Sequence, residues 1–368
     1  MDKGKNKIRV LHIPAGGLGH GGVSFVIFSI VQALYKDFDF SSVVFTKRCN
    51  RENDFLNYGK LYRISGYKGT IIDKFLRPIT MIYSIWNICR KEKFNVIHCH
   101  NDFEQAFCLL GAKLAGVPMR IAHSHVSKSP ERLSFLKKIY QSICRILIKY
   151  CSTHKIGCSE LASKHFFENN YQVITNSIDL KRFTWEIHKN CNQWSFVHVG
   201  RYSSSKNQKF VLEIYAKLRL LYPNSTLDLV GFGQDVELLK KEVGKLGLNS
   251  FVRLYSATSS EIPNIFRKSD VMIFPSIYEG FGIVLLEAQA SGCMCFASEA
   301  VPNDANVGLM QRISLTEKSD VWVDLIDSYL RKGIYDVNYD LISRNLHKFS
   351  TEYVTNKYLT LYESAKAF

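Results

Sequence analysis

The sequence predicts an α/β protein of two domains, each a doubly wound parallel sheet with helices on both faces. The chain has 368 residues, a length typical of two domains. Strand-like runs alternate with helix-like runs twice, first from "IRVLHIP" and again from "SFVHVG", and this alternation favours parallel sheets. A polar stretch at 181–193 separates the two runs. We therefore predict an N-terminal domain over 1–183 and a C-terminal domain over 190–349.

The first run opens with a strand, a glycine-rich turn and the helix "GVSFVIFSIVQALY". Further helices are predicted at "RPITMIYSIWNICRKE" and "FEQAFCLLGAKLAG", where apolar residues recur at helical spacing. The other strands predicted in this half are "SSVVFT", "NVIHCH", "MRIAHSH", "HKIGCS" and "YQVITNSI". Polar residues that end these strands are candidates for ligand binding, because open α/β sheets bind ligands at the carboxyl ends of their strands.

The second run has the same alternation. Its predicted helices are "QKFVLEIYAKLRLLYP", "VELLKKEVGKLG", "IPNIFRKS" and "IVLLEAQASG". Its predicted strands are "SFVHVG", "TLDLVG", "FVRLY", "VMIFPS" and "MCFAS". With two such domains, a cleft between them is the expected ligand site.

Charge is distributed unevenly along the chain. The first 190 residues hold 29 Lys and Arg against 14 Asp and Glu, whereas the remainder holds 19 of each. The N-terminal half is therefore expected to face an anionic partner such as a membrane surface, a phosphorylated substrate or nucleic acid. The charged N-terminus lacks the apolar core of a secretory signal, and this predicts a cytoplasmic protein.

The turn after the first strand contains G-x-G-x-x-G, from Gly17 to Gly22. A dinucleotide-binding turn needs an acid about 20 residues further on. The second strand ends instead in Thr46, Lys47 and Arg48, which excludes the usual NAD ribose contact. The turn alone leaves three interpretations open: NADP, another phosphate ligand, or a flexible loop.

A second motif lies in "PSIYEGFGIVLLEAQASG", where Glu279 and Glu287 are eight residues apart. The glycines beside Glu279 expose amides at a predicted helix N-terminus, which favours anionic or hydroxyl ligands. Glu287 lies in an apolar stretch, where an unpaired charge would be costly. Carboxylates at these positions suit sugar hydroxyls, because carboxylate oxygens accept hydrogen bonds.

This E-x7-E motif resembles that of retaining glycosyltransferases of family 4, which have the GT-B fold of two Rossmann-like domains. The resemblance covers nearly the whole chain and includes "ITNSIDLKRF", "VGRYSSSKNQ" and "LVGFGQD". "RIAHSHVSKS" and "SEAVPNDANV" are similar to bacterial enzymes of capsular and exopolysaccharide assembly. The resemblance also implies that a C-terminal helix over 350–368 packs back on the N-terminal domain.

The resemblance implies that Arg201 and Lys206 hold the donor diphosphate and neutralise the charge of the leaving nucleotide. Glu279 would face the donor sugar, and Glu287 would accept hydrogen bonds from the ribose. The other donor-binding residues that it implies are Gly21 and Gly22, Gly231 and Gly233, Tyr255, Gly280, Phe281 and Gly282. Two of these assignments stay open. Gly231 and Gly233 could serve a tight turn only, and Tyr255-Ser256 replaces the family's usual glycine near the base.

Histidines end two strands of the first half, as His98 and His100 in "VIHCH" and His123 and His125 in "RIAHSH". The resemblance places one histidine of the second pair at the donor sugar, and we assign His125 as catalytic without excluding His123. A zinc site is the alternative, but H-x-H on one strand lacks the usual third ligand. Asp37-Phe38-Asp39 spells the D-x-D metal motif of another glycosyltransferase fold, and we interpret it as a surface turn. We therefore expect neither a cofactor nor a metal.

The stretch 131–155 has apolar residues at helical spacing, flanked by lysines and arginine. It could form an amphipathic helix on the inner leaflet of the plasma membrane, or one that packs on its own sheet. The charge distribution favours the membrane, which would make the protein peripheral on that inner face.

Together these features predict a retaining hexosyltransferase of surface polysaccharide assembly. Its donor would be a nucleotide diphosphate sugar such as a UDP-sugar, and its acceptor a polyprenyl-diphosphate-linked glycan. The resemblance implies front-face departure of the nucleotide and closure of the two domains. An NADP-dependent oxidoreductase and a basic binding protein without catalysis are the alternatives. Nucleic acid is not expected as a partner, because it would leave the second domain's motifs unexplained.

Overall fold

The computed structural model of the chain describes residues 7–15, 17–19, 21–46, 49–64, 71–126, 134–185, 193–332 and 338–367. Several positions used above lie outside these ranges: His20, Lys47 and Arg48, residues 131–133 of the basic stretch, and 186–192 of the polar stretch. The chain divides into two compact units, one of 1–177 with 351–368 and one of 178–350.

The first unit contains a parallel sheet in the order β3-β2-β1-β4-β5-β6-β7. Its strands are β1 (Ile8–Ile13), β2 (Phe38–Val44), β3 (Gly59–Arg63), β4 (Val96–Cys99), β5 (Met119–Ser124), β6 (His154–Gly157) and β7 (Gln172–Val173). Its helices are α1 (Gly22–Leu34), α2 (Glu52–Leu56), α3 (Ile71–Glu92), α4 (Gln105–Leu114), α5 (Phe135–Cys151), α6 (Glu160–Phe166) and the C-terminal α13 (Thr351–Glu363). The order reverses between β1 and β4, which is the position where doubly wound sheets bind ligands.

The second unit repeats this topology in a sheet of order β10-β9-β8-β11-β12-β13, also parallel. Its strands are β8 (Ser195–Val199), β9 (Thr226–Val230), β10 (Val252–Tyr255), β11 (Val271–Phe274), β12 (Met294–Ser298) and β13 (Met310–Ile313). Its helices are α7 (Gln208–Leu221), α8 (Val236–Lys245), α9 (Ile262–Arg267), α10 (Ile283–Ala290), α11 (Ser319–Lys332) and α12 (Tyr339–His347). Here the order reverses between β8 and β11.

The central strands are mostly apolar and buried, because both of their faces are covered. All four residues of β4 and of β11 are buried, as expected for a parallel sheet between two helical layers. In the first unit, Val354, Tyr358 and Tyr362 of α13 join the core formed by α1 and one face of the sheet. The C-terminal helix therefore belongs to the core of the first unit, to which it returns after the second unit is complete.

Two details differ from the sequence analysis. The chain enters the second unit at Ile178, a few residues before the predicted boundary at 183. The reason is a parallel bridge between Ile178 and Ser350, supported by a hydrogen bond of 2.8 Å from the Ile178 amide to the Phe349 carbonyl. Asp37-Phe38-Asp39 is not wholly a turn, because Phe38 is buried and begins β2.

Candidate active site

Arg201, Lys206 and Glu279 lie in loops that follow the carboxyl ends of the neighbouring strands β8 and β11. One loop, 200–206, leaves β8, and the other, 275–282, leaves β11. A hydrogen bond of 2.8 Å from the Ile277 amide to the Ser205 carbonyl joins the two loops. The site therefore lies at the point where the strand order reverses, in the position that this topology favours for ligands.

Lys206 and Glu279 form an ion pair across these loops. Each side chain is only about one-fifth exposed, at 21% for Lys206 and 18% for Glu279. The Lys206 ammonium also lies 4.8 Å from the centre of the Phe274 ring, in cation–π geometry. The second Glu279 oxygen accepts from the Gly280 amide at 3.2 Å. This pairing holds the ammonium in a fixed place, with two further N–H donors for a phosphate.

Arg201 lies on the same loop with its side chain exposed. Its guanidinium has no hydrogen-bond partner among the residues that the structure describes, so it is available to an anion. The backbone of Arg201 is held in place, because the side-chain Nε2 of Gln208 donates to the Arg201 carbonyl at 2.8 Å. The position suits a planar donor group that binds phosphate from the solvent side.

Gln208 and His198 are supporting residues that the sequence analysis missed. Buried His198 donates from Nδ1 to the Ile273 carbonyl at 2.9 Å, which joins β8 to β11. Its Nε2 accepts from Gln208 at 3.3 Å, so the tautomer is fixed. Burial lowers the pKa of His198 to about 4 and keeps it neutral. The only sequence signal for this supporting role was that His198 and Gln208 are polar and lie at the end of "SFVHVG" and at the start of the next helix.

Gly280, Phe281 and Gly282 lead into α10. Gly282 caps the helix with φ +89°, a conformation that glycine adopts without strain. No side chain caps this helix start, so its first amides are available to an anionic or hydroxyl ligand. The Phe281 side chain is buried and packs 6.1 Å from the Phe349 ring. Phe281 can therefore offer a ligand its backbone amide but not its ring.

Glu287 lies on α10 and is partly buried. Burial raises the pKa of Glu287 to about 8, and the positive charge of Arg182 opposes this shift only in part. The sequence analysis did not assign a role to Arg182. Its guanidinium donates to the Ser259 carbonyl and lies 5.7 Å from the Phe183 ring. A partly buried acid with a raised pKa and one cation nearby is a typical feature of a binding site.

Gly231 and Gly233 are required by close backbone packing. A Cβ on Gly231 would overlap the Gly200 carbonyl oxygen, and one on Gly233 would overlap that of Tyr202. The Gly200 amide donates to Val230 at 2.9 Å, so the β8 and β9 loops pack tightly together. The two glycines thus shape the loop that carries Arg201, and a contact with the nucleotide stays a prediction.

The Tyr255 side chain has a structural partner. Its hydroxyl donates to Asp228 at 3.1 Å, and Arg253 binds the same carboxylate at 2.6 and 2.7 Å. These three residues line a polar cavity of about 750 Å³. Only the Tyr255 carbonyl faces the glycine loop, where it accepts from the Gly231 amide at 2.8 Å. The contact predicted between Tyr255 and a base therefore stays a prediction.

In the first unit, Gly21 and Gly22 begin α1 after the turn that follows β1. Gly21 is the N-cap residue, both glycines are exposed, and a Cβ on Gly21 would meet nothing within 4 Å. The helix start has no side-chain cap, so its amides are unshielded. This arrangement fits a loop that a phosphate can approach.

Five histidines lie together at the carboxyl ends of β1, β4 and β5. They are His12, His98, His100, His123 and His125, and all but His125 are fully buried. Burial, the largest cause, lowers the pKa of every one of them, to about 3 for His12 and His125. His125 is the one of the five that is only partly buried, and its assignment over His123 stays a prediction. Adjacent strands bring ring nitrogens of three of these histidines within 4.8 Å of one another, and the expectation that no metal is required stays a prediction.

The comparisons with known proteins identify the family. A family model described as Glycosyltransferase Family 4 matches residues 20–182, and one described as Glycosyl transferases group 1 matches residues 181–335. The chain is 30% identical over 344 residues to the putative glycosyltransferase EpsF of Bacillus subtilis. These aligned residues are 86% of this chain and 86% of EpsF.

Two further relatives have more specific names. UDP-Gal:alpha-D-GlcNAc-diphosphoundecaprenol alpha-1,3-galactosyltransferase of Escherichia coli is 28% identical over 253 residues, which are 63% of this chain and 65% of that protein. The capsular polysaccharide biosynthesis glycosyltransferase CapH of Staphylococcus aureus is 24% identical over 311 residues, which are 80% of this chain and 82% of CapH.

Among solved structures, Anabaena Alr3699/HepE in complex with UDP-glucose superposes with a TM-score of 0.76 at 16% identity. The match covers 97% of this chain and all of that one. Likeness at this identity concerns the fold, and it confirms the predicted GT-B class with two Rossmann-like sheets. The resemblance to capsular and exopolysaccharide enzymes is also confirmed. On these matches, the chain belongs to family 4 of the glycosyltransferases.

Proposed function

We propose that this glycosyltransferase moves a hexosyl unit from a UDP-sugar to a hydroxyl of a polyprenyl-diphosphate-linked glycan, with retention of configuration, in surface polysaccharide assembly. The observation that carries the proposal is the ion pair of Lys206 and Glu279 at the point where the second sheet reverses its order. It combines a cationic donor for a diphosphate with a carboxylate for sugar hydroxyls.

Each residue has a proposed role in the reaction. Arg201 and Lys206 bind the donor diphosphate and stabilise the charge that grows on it as the glycosidic bond breaks. Glu279 orients Lys206 and accepts from donor-sugar hydroxyls, beside the amides that open α10. Glu287 accepts from the ribose hydroxyls. His125 is the proposed catalytic group of the first unit, and no metal takes part.

The donor and acceptor classes draw support from the relatives. The name of the E. coli relative gives a UDP-sugar donor and a diphosphoundecaprenol-linked acceptor. The solved structure of Anabaena HepE holds UDP-glucose. The proposal extends the UDP-sugar donor and the polyprenyl-diphosphate-linked acceptor to this chain, and a donor screen would identify the hexose.

A donor screen tests this function. The purified protein is incubated with UDP-, GDP-, ADP- and dTDP-sugars, with and without a polyprenyl-diphosphate-linked glycan, and released nucleotide is measured by mass spectrometry. We expect acceptor-dependent release from a UDP-sugar, and EDTA should not lower it. Proton NMR of the product should show the donor's anomeric configuration. Inversion at the anomeric carbon would contradict retention, and nucleotide binding without release would indicate a binding protein.

We also propose that α5 rests on the anionic inner leaflet of the plasma membrane. No helix in the described ranges is long and apolar enough to cross a bilayer. Only Cys144, Ile148 and Cys151 of α5 are buried. Its exposed apolar residues are Phe135, Leu136, Ile139, Tyr140, Ile143, Ile146 and Tyr150. Exposed Lys137, Lys138 and Lys149 accompany them. An apolar surface bordered by lysines fits a bilayer interface better than a helix buried on its own sheet.

Vesicle sedimentation tests the surface formed by α5. Replacing Lys137 and Lys138 with glutamine should weaken binding to phosphatidylglycerol vesicles about thirtyfold at low salt, since each lysine contributes about 1 kcal/mol near an anionic surface. Ile143→Glu with Ile146→Glu should weaken it further. Leu220→Glu is the matched control, because Leu220 is 81% exposed on α7 of the other unit. Equal loss in the control, or salt-independent binding of all variants, would contradict this surface.

A further inference from the structure

The histidine cluster of the first unit lies where its strand order reverses. His12 of β1 pairs with His98 of β4 in the parallel register, and His100 and His125 each follow the end of a strand. One ring nitrogen from each of His100, His123 and His125 lies within 4.8 Å of the other two. We propose that these three residues form a binding site for a divalent transition-metal ion of the Zn²⁺ type.

The hydrogen bonds of His123 leave one nitrogen free for an ion. Its Nδ1 lies 3.0 Å from Nε2 of His98, and Nδ1 of His98 lies 2.7 Å from the Tyr362 hydroxyl. The buried Nε2 of His123 has no hydrogen-bond partner within the described ranges. If the protons lie on both Nδ1 atoms, His123 donates to His98, His98 donates to Tyr362, and His123 Nε2 presents a lone pair. A buried lone pair without a donor is costly, and a metal ion would satisfy it.

His100 and His125 already have a separation close to that of two metal ligands. His100 Nδ1 and His125 Nε2 are 2.8 Å apart and share a hydrogen bond, so the one that carries the proton must shift it to its own other ring nitrogen before both can bind an ion. Two nitrogens on a tetrahedral Zn²⁺, with bonds of about 2.0–2.1 Å, lie roughly 3.3 Å apart. Displacements of roughly an ångström would therefore bring all three nitrogens to one ion.

Histidines that bind a metal ion need hydrogen-bond partners that orient their rings. The other nitrogen of His100, Nε2, lies 3.1 Å from Nδ1 of His12. His98 and Tyr362 hold His123 in the same way. Hydrogen bonds from the non-ligating nitrogen commonly fix metal-binding histidines. The half-buried His125 leaves the fourth position open to water or a small ligand.

The donor type selects the class of ion. Three imidazoles suit Zn²⁺, Ni²⁺, Co²⁺ or Cu²⁺, whereas Mg²⁺ and Ca²⁺ prefer oxygen ligands. The site belongs to the first unit alone, and its binding of an ion can be tested without the proposed transfer reaction. One consequence does rest on that function: an ion held by His125 would occupy the proposed catalytic histidine, so Zn²⁺ should inhibit transfer and EDTA should restore it.

Cobalt titration tests the site directly. The full-length protein, with any affinity tag removed and treated with EDTA, is dialysed and titrated with Co²⁺. We expect one Co²⁺ per chain, the visible absorption of a tetrahedral site, and displacement by one equivalent of Zn²⁺. His123→Gln and His125→Gln should each weaken binding by at least about a hundredfold, and Tyr362→Phe by about tenfold through the orientation of His98.

His154→Gln serves as the matched control, because His154 lies on β6 of the same unit outside the cluster. It should bind Co²⁺ as the unsubstituted protein does. Circular dichroism identifies any variant that does not fold, and half-buried His125 is the position that tolerates substitution best. Absence of the cobalt spectrum in the unsubstituted protein would overturn the proposal. So would binding retained in folded His125→Gln. These results concern the metal site only, because none of them depends on transferase activity.

Discussion

Replacing Lys206 with alanine is expected to lower kcat/KM for sugar transfer by at least about a hundredfold, equivalent to roughly 3 kcal/mol of transition-state stabilisation. The ammonium is proposed to neutralise the charge that develops on the departing nucleotide diphosphate. A lysine can do this well only if it is already in place when the bond breaks. The measurement is acceptor-dependent nucleotide release with the donor identified by the screen.

The surroundings of Lys206 explain why the effect should be large. Its ion pair with Glu279 and its contact with the Phe274 ring fix the ammonium before the donor arrives. At about one-fifth exposure, the charge is shielded from water and acts more strongly on a bound phosphate than a free surface lysine would. Arg201 approaches from the exposed side, and its alanine variant should also lose most of its activity.

Removing Lys206 leaves the Glu279 carboxylate without its cation, so a second variant separates charge loss from local disruption. Lys206→Met, which keeps a side chain of similar length beside the Phe274 ring without the charge, should be as inactive as Lys206→Ala. Lys209→Ala is the matched control, because Lys209 is exposed near the start of α7. Turnover close to that of the control in a folded Lys206→Ala protein would show that the diphosphate is bound elsewhere.

The fold followed from the sequence because its signals are local. Buried runs such as "VIHC" and "VMIF", alternating with amphipathic helices, identified the central strands of both sheets. The strands that were missed, β3 and β13, lie at the edges of the sheets. An edge strand packs on fewer neighbours and carries a weaker apolar pattern, as in the partly exposed "GKLYR".

The site could be predicted only where a motif carried it. Glu279, Glu287, Arg201 and Lys206 were found by spacing and resemblance, but the ion pair joins residues 73 positions apart and follows from the adjacency of β8 and β11. The same reason explains the histidine cluster. His12 and His98 are far apart in the chain, and only the strand order makes them neighbours. The sequence analysis named the four histidines at the ends of β4 and β5, and the strand order adds His12 to them.

Nucleotide-sugar binding is expected to be coupled to deprotonation of Glu287. In the free protein its pKa is about 8, so the carboxyl group is mostly protonated at neutral pH. Two ribose hydroxyls donate best to the ionised form, and binding should therefore release a proton. Affinity should fall by up to about tenfold for each pH unit below 8. Calorimetry at pH 6.5 in two buffers of different ionisation enthalpy should detect nearly one released proton, and Glu287→Gln should release none.

Glu287→Gln, which should weaken donor binding, should raise the thermal stability of the protein. Because the folded state raises the pKa of Glu287 from 4.5 to about 8, it binds the proton more tightly than the unfolded state. The contribution of Glu287 to the free energy of unfolding is therefore fully present below about pH 4.5 and is lost as the pH rises to about 8. Glutamine cannot ionise, so Glu287→Gln should gain thermal stability relative to the unsubstituted protein as pH rises through this range.

Glu237→Gln on α8 is the control, because Glu237 is exposed and its Lys240 partner lowers its pKa. A variant that is more stable at pH 8 yet binds the donor more weakly cannot owe its defect to misfolding. Such a variant would show that ionising Glu287 lowers the stability of the unbound protein, and that hydrogen bonds from the ribose offset this loss. A stability difference independent of pH, or proton release that persists in Glu287→Gln, would assign the coupling to another group.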